Sequence, residues 1–161
     1  MERSGHAFIN RRLIEESAVL GAELSGHYFF GELARDDALY ATLYLLQALD
    51  RIGLLLGQAM AAIPAYPITP DLRLPCPNEQ ARRIIHQLRQ AFTQHPTVTL
   101  DGVRIEFPRG WALARLSVTE PMITLRFEAQ TEADLARIQE RVKEASPLLD
   151  QVWSRAASAD D

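Results

Sequence analysis

Apolar positions in the first third of the chain recur at helical spacing twice, with a short strand-like stretch between. Phe8, Ile9, Leu13 and Ile14 line one side of residues 5–17, with Arg11, Arg12, Glu15 and Glu16 opposite, which predicts an amphipathic helix. Residues 18–20 (Ala-Val-Leu) and 28–30 (Tyr-Phe-Phe) are short apolar runs that read as strands on either side of the loop 21–27. Leu39, Leu43, Leu46, Leu49 and Ile52 then form the apolar side of a second helix, capped by Asp36 or Asp37 and ended by Gly53. A shorter helix is expected over 54–62.

Pro64, Pro67, Pro70, Pro75 and Pro77 follow at a density that excludes helix and fits extended chain at a sheet edge or in a linker. Beyond them, Ile84, Ile85, Leu88 and Phe92 mark the inner side of a helix over 79–93, with Asn78 as its cap. Residues 97–100 and 103–107 flank Asp101-Gly102, a two-residue hairpin signal. Two further strands, 111–118 and 122–129, join through Thr119-Glu120-Pro121. Thr131 caps a last helix with Leu135, Ile138 and Val142 in its core, and the tail after Ser154 reads as frayed.

The fold class is therefore α+β. The second half reads strand, helix, four strands, helix: a small antiparallel sheet with helices on one face. The first half, helix, strand, loop, strand, helix, is a partial α/β arrangement with too few elements to cover both faces of a sheet. The domain boundary falls among the prolines, giving 1–66 and 67–161. The first piece is expected to self-associate through its uncovered apolar surface, and the second to fold by itself.

Charge changes the picture only by exclusion. With 161 residues and a net charge of −4, the chain has no general nucleic-acid-binding character. Every basic residue except Lys143 is arginine, so an anion site here would use arginine. Cys76 is the single cysteine, which rules out an internal disulfide and fits a reducing, cytoplasmic setting. Zinc-type Cys/His spacing is absent, and no metal ligands are assigned. The longest apolar stretch, 52–63, is interrupted and too short for a bilayer, and no signal core precedes it; no membrane partner is expected.

Two rows carry the candidate chemistry. Glu23, Ser25 and His27 alternate within Gly-Ala-Glu-Leu-Ser-Gly-His, and on extended backbone they share a face. A carboxylate, a hydroxyl and an imidazole suit a polyhydroxyl ligand. Arg115, Ser117 and Thr119 alternate within Arg-Leu-Ser-Val-Thr-Glu-Pro and suit a phosphate, because a guanidinium can bind two of its oxygens and the hydroxyls can donate. From spacing alone, a polar connecting loop is the better reading of the first row and a solvated strand end of the second. His6, beside a helix start, is a candidate proton-transfer group, although a lone histidine also fits a structural or exposed role. His86, His95 and the Arg82-Arg83 pair are assigned no role. Trp111 and Trp153 read as packing residues, and Cys76 has no base nearby in sequence.

Together the rows are more specific than either alone. Gly21 to Phe30 resembles the sugar-specificity loop of the α-D-phosphohexomutases, and Arg115 to Pro121 resembles the phosphate-binding loop of that family's last domain. Gly5-His6-Ala7-Phe8-Ile9, Thr69 to Arg73, Asp101-Gly102-Val103 and Trp111 fit the same register. The resemblance includes the bacterial phosphomannomutase/phosphoglucomutase enzymes, and it extends to about Val152. It implies that the chain holds the C-terminal part of domain 3 and the whole of domain 4. It also implies a reaction, the interconversion of hexose 1-phosphate and 6-phosphate. In the family, a phosphoserine, a magnesium ion on an acidic loop and a bisphosphosugar activator take part.

By this resemblance Glu23, Ser25 and His27 hold sugar hydroxyls, His6 moves a proton, and Arg115, Ser117 and Thr119 grip the non-reacting phosphate. Val118 departs from the family's usual asparagine. The serine and magnesium loops are not in this sequence. The chain is thus expected to bind hexose phosphate, to carry no cofactor itself, and not to turn over alone. The missing domains or another chain would complete it. The alternative is a non-catalytic phosphosugar-binding or interaction module that pairs with another polypeptide.

Overall fold

The computed structural model describes residues 2, 5–23, 25–117 and 120–158. It forms two compact units, Met1–Pro64 and Ala65–Asp161.

In the first unit, α1 (His6–Glu15) leads into a three-stranded antiparallel sheet of β1 (Leu20–Ala22), β2 (Tyr28–Phe30) and β3 (Arg35–Asp36), in that spatial order. Helices α2 (Ala38–Ile52) and α3 (Leu56–Ala61) follow. Of the two candidate caps for α2, Asp37 serves: its Oδ1 accepts from the Tyr40 N–H at 2.9 Å. The helix ends at Gly53, as its sequence predicts. The third strand is not evident in the sequence, because two residues, Arg35 and Asp36, carry no periodicity.

Burial in this unit is thin. Leu13, Phe29 and Phe30 are its buried apolar side chains among the described residues. Leu39, Leu43, Leu46 and Ile52, the expected apolar side of α2, remain exposed, and α2 buries no residue.

The second unit is a two-layer α+β structure. A five-stranded antiparallel sheet runs in the order β4-β8-β7-β6-β5, with β4 at Leu72–Pro75, β5 at Thr97–Val98, β6 at Val103–Phe107, β7 at Gly110–Leu116 and β8 at Met122–Ala129. Helices α4 (Asn78–Ala91), α5 (Glu132–Glu144) and α6 (Pro147–Ala157) pack on one face. Alternation decides which side chains meet them. In β6, Val103, Ile105 and Phe107 are buried while Arg104 and Glu106 turn away. From the helices, Ala81, Ile84 and Leu88 of α4, Leu135, Ile138 and Val142 of α5, and Leu149 and Val152 of α6 close the core.

Three local expectations are corrected here. Asn78 is the first helical residue of α4 and makes no capping bond; Pro77 holds the cap position. The β5–β6 turn is wider than two residues, since its last cross-strand pair is Val98 with Arg104. The last helix is two helices: Ser146 caps α6, its Oγ accepting from the Leu149 N–H at 3.2 Å, with Pro147 in the first turn. The proline-rich stretch does lie along the sheet edge. The Thr69 N–H donates to Phe127 O, and the Thr69 hydroxyl accepts from the Phe127 N–H at 3.0 Å. That hydroxyl stands in for a backbone carbonyl as the acceptor for the Phe127 N–H.

Candidate functional site

Each unit carries one of the two rows, and each row has its own architecture. In the first unit the backbone is not extended through Glu23–His27 as the alternation suggested. Ala22 pairs with Tyr28, and the residues between them form the hairpin loop. Two bonds close it: Glu23 N–H to His27 O at 2.9 Å, and Gly26 N–H to Glu23 O at 3.0 Å. Gly26 sits at φ 92°, in the region that glycine enters without steric cost. Leu24 lies outside the described residues.

The loop turns Glu23 toward the start of α1. Its Oε1 accepts from the Gly5 N–H at 2.6 Å, and its Oε2 accepts from the Ser25 hydroxyl at 3.2 Å. Glu23 therefore ties the loop to the first helix and holds Ser25. The Ser25 oxygen keeps its accepting lone pairs for a further donor.

His27 and His6 meet on a third residue that the sequence offered only as a possible helix cap. Phe29 pairs with Asp36 across β2 and β3, and His27 lies two residues before Phe29. The period of a strand thus brings His27 and Asp36 to one side. His27 Nδ1 lies 2.7 Å from Asp36 Oδ2, and His6 Nε2 lies 3.3 Å from Asp36 Oδ1. His6 also packs edge-on against the buried Phe29 ring, with centroids 5.1 Å apart. The hydrogen bond from His27 is the main cause holding the Asp36 carboxyl below its ordinary range; partial desolvation opposes it, and nearby His6 reinforces it. One carboxylate thus orients two half-exposed imidazoles. The missed signal was the doubled acid at 36–37: a helix needs one cap, which leaves the other free.

In the second unit, Arg115 is on β7, paired with Thr124 of β8. Its neighbour Ala114 is buried beneath the sheet, so Arg115 turns to the helix-free face. The Ser117 N–H donates to Met122 O at 3.1 Å and extends the β7–β8 ladder by one step, which keeps Ser117 on the Arg115 face. The Ser117 hydroxyl accepts from the Glu120 N–H at 3.3 Å, and its own proton remains available to donate. Arg115 Nη1 is 3.7 Å from Asp101 Oδ2, a loose and partly exposed pair. Gly102 explains why Asp101 is there: a Cβ at 102 would lie 2.1 Å from Ala114 O, so only glycine lets this loop rest on β7. Thr119 and Val118 lie outside the described residues.

The remaining candidates stay out of the site. His95 packs between Phe92 and Phe107 and bonds to Glu106 O. Trp111 lies under Arg104, whose guanidinium carbon is 4.0 Å from the ring centroid. Cys76 is buried, and burial pushes its thiol up, away from the reactive thiolate. Among the described residues, no helix is long and apolar enough to cross a membrane.

The family's magnesium can be tested against the donors present. Among the described residues, the group close enough to share an ion is His6, His27 and Asp36. Magnesium takes oxygen ligands in octahedral geometry, and this set supplies two nitrogens and one carboxylate. It does not fit magnesium.

Comparison with known proteins covers both units. The description "Phosphoglucomutase/phosphomannomutase, alpha/beta/alpha domain III" matches residues 1–66, and "Phosphoglucomutase/phosphomannomutase, C-terminal domain" matches residues 72–145. A phosphomannomutase/phosphoglucomutase of Pseudomonas aeruginosa is 36% identical over 143 residues, which is 86% of this chain and 31% of that protein. A phosphoglucomutase of Neisseria gonorrhoeae is 37% identical over 162 residues, 95% of this chain and 35% of that protein. A crystal structure of a phosphoglucomutase/phosphomannomutase family protein from Burkholderia thailandensis has a TM-score of 0.78 and 38% identity, covering 91% of this chain and 32% of that one. The chain spans about a third of the length of these relatives. Both of its units match consecutive parts of one family, and it belongs to the phosphoglucomutase/phosphomannomutase family.

Proposed function

We propose that this chain is the phosphosugar-recognition portion of a hexose-phosphate mutase. The first unit takes sugar hydroxyls and the second takes a phosphate. The observation that carries this reading is the strand geometry at Arg115 and Ser117: a guanidinium and a hydroxyl share the helix-free face beside a turn. A doubly charged phosphate offers Arg115 a stronger partner than the loose Asp101 carboxylate, because charge-assisted, bidentate bonds outweigh a pair at 3.7 Å. Thr119 is proposed as a third donor from the same sequence row.

In the first unit, Ser25 and His27 present hydrogen-bonding groups to sugar hydroxyls, while Glu23 holds the loop. His6 is the proton-transfer candidate, and Asp36 sets which imidazole nitrogen faces the carboxylate. Gripping the non-reacting phosphate supplies binding energy and position for chemistry at the other end of the sugar. The phosphoserine and the magnesium loop of the family are not among these residues. A cytoplasmic setting accords with the single, buried cysteine. A non-catalytic phosphosugar-binding module paired with another polypeptide would use the same two rows.

The test is nuclear magnetic resonance of the 161-residue chain with three probes: glucose 6-phosphate, free glucose and inorganic phosphate. Inorganic phosphate should shift the amides around Arg115 and Ser117, and glucose those of the 23–27 loop. Glucose 6-phosphate should shift both sets. Arg115→Ala should weaken the phosphate response roughly 10- to 100-fold, the worth of hydrogen bonds to a charged group. No shift at either row with millimolar glucose 6-phosphate sinks the reading.

A further inference from the structure

We infer that His6, His27 and Asp36 form a binding site for a divalent transition-metal ion of the zinc type. The three residues come from α1, the end of the 23–27 loop and β3, and each offers one ligand atom. Those atoms all lie within 4.8 Å of one another. Around a tetrahedral zinc ion with bonds of about 2.0–2.2 Å, ligand atoms sit about 3.3–3.6 Å apart. His27 Nδ1 lies 2.7 Å from Asp36 Oδ2 and His6 Nε2 lies 3.3 Å from Asp36 Oδ1, hydrogen-bond spacings to two carboxylate oxygens that an entering ion would lengthen and gather onto itself. The imidazoles are 54% and 48% exposed, so small ring rotations complete the fit without moving the core.

The donor set decides which ion. Two imidazoles and a carboxylate suit zinc, cobalt and nickel, whereas calcium and magnesium want oxygen alone. Three protein ligands leave one position open to water, the arrangement of catalytic and exchangeable zinc sites rather than closed structural ones. The scaffold pre-forms much of the site. Phe29, fully buried, fixes Asp36 by cross-strand pairing and His6 by edge-on ring packing. The site shares His6 and His27 with the proposed function, but it stands on this geometry, and its test reads metal coordination without hexose phosphate.

Cobalt is the probe, because its visible absorption reports tetrahedral coordination. Metal-free protein titrated with Co²⁺ should develop tetrahedral bands that saturate at one ion per chain, and Zn²⁺ should displace them. His6→Ala, His27→Ala and Asp36→Asn should each weaken binding by more than about 100-fold, since loss of a ligand's supporting partner alone costs 10- to 100-fold. His86→Ala should leave it unchanged. In the unaltered chain, Zn²⁺ should shift the ring signals of His6 and His27 and spare those of His86 and His95. This second readout needs no variant to fold. Absence of tetrahedral bands at millimolar Co²⁺, ring shifts confined to His86 or His95, or binding indifferent to His27→Ala overturns the proposal.

Discussion

Replacing Gly102 with alanine tests the packing that places Asp101 beside Arg115. The new Cβ would sit 2.1 Å from Ala114 O and 2.7 Å from Arg115 Cα, both backbone atoms of a central strand that cannot swing aside. Residue 102 is also at φ 83°, where an L-residue pays about 1–2 kcal/mol. Overpacking against fixed backbone adds about 1–3 kcal/mol. The sum, roughly 2–5 kcal/mol, corresponds to a fall in melting temperature of about 8–40 °C for a domain of this size. Tryptophan fluorescence isolates the effect, because Trp111 and Trp153, the chain's two tryptophans, are both in the second unit. Gly57→Ala is the control: it lies in α3 of the first unit with open space around it, and should leave the tryptophan transition in place. A drop for Gly102→Ala of less than about 4 °C, or near 1 kcal/mol, would refute the claim that this close approach is obligatory.

Other outcomes follow from single residues of the second unit. Asp134 accepts from the Thr131 hydroxyl at 2.6 Å, from Arg109 at 2.7 Å and from Arg137 at 2.6 Å, and these bonds, Thr131's first, hold its carboxyl below the ordinary range. The folded state then binds fewer protons than the unfolded one, so this contribution is complete above the ordinary aspartate range and lost as pH falls through the depressed value. Acid unfolding of Asp134→Asn, followed by tryptophan fluorescence, should show less dependence on pH in that window. Ser146, fully buried, caps α6 and donates to Gln87 Oε1 at 2.6 Å. Ser146→Ala should lower stability in urea by about 1–2 kcal/mol, because it removes a cap and takes the hydroxyl from a part-buried amide oxygen.

Where periodicity is strong the sequence was legible, and where structure depends on pairing it was not. Strand β6 alternates and was readable to the residue, as was the helix face Ile84, Leu88, Phe92. The shared face of Arg115 and Ser117 was legible because they lie on one strand and its continuation, so alternation along the chain is alternation in space. The geometry of Glu23, Ser25 and His27 was not legible in their alternation. Glu23 to His27 form a loop whose shape is set by cross-loop bonds and by Gly26. Asp36 was hidden for the same reason: its partnership with His6 and His27 exists only once β2 and β3 pair in one register. The split of the final helix was signalled by Ser146-Pro147, a cap followed by proline at the first turn, which the sequence reading passed over.

The two rows also differ in what holds them. Arg115 and Ser117 stand on a sheet whose other face is a continuous apolar core, from Leu74 through Phe127 to Val152. Their positions follow from burial, which salt and protonation barely touch. Glu23, Ser25, His27 and His6 stand over little buried apolar surface, and polar contacts fix their arrangement: Glu23 to Gly5, Ser25 to Glu23, and Asp36 to both imidazoles. The Asp36 carboxyl is held below its ordinary range chiefly by the His27 hydrogen bond, so its contacts persist until pH falls through that depressed value. A loop held by polar contacts responds to changes in charge and screening more than a strand held by burial does. Conditions that alter the response to a free hexose should therefore leave the response to inorganic phosphate nearly constant.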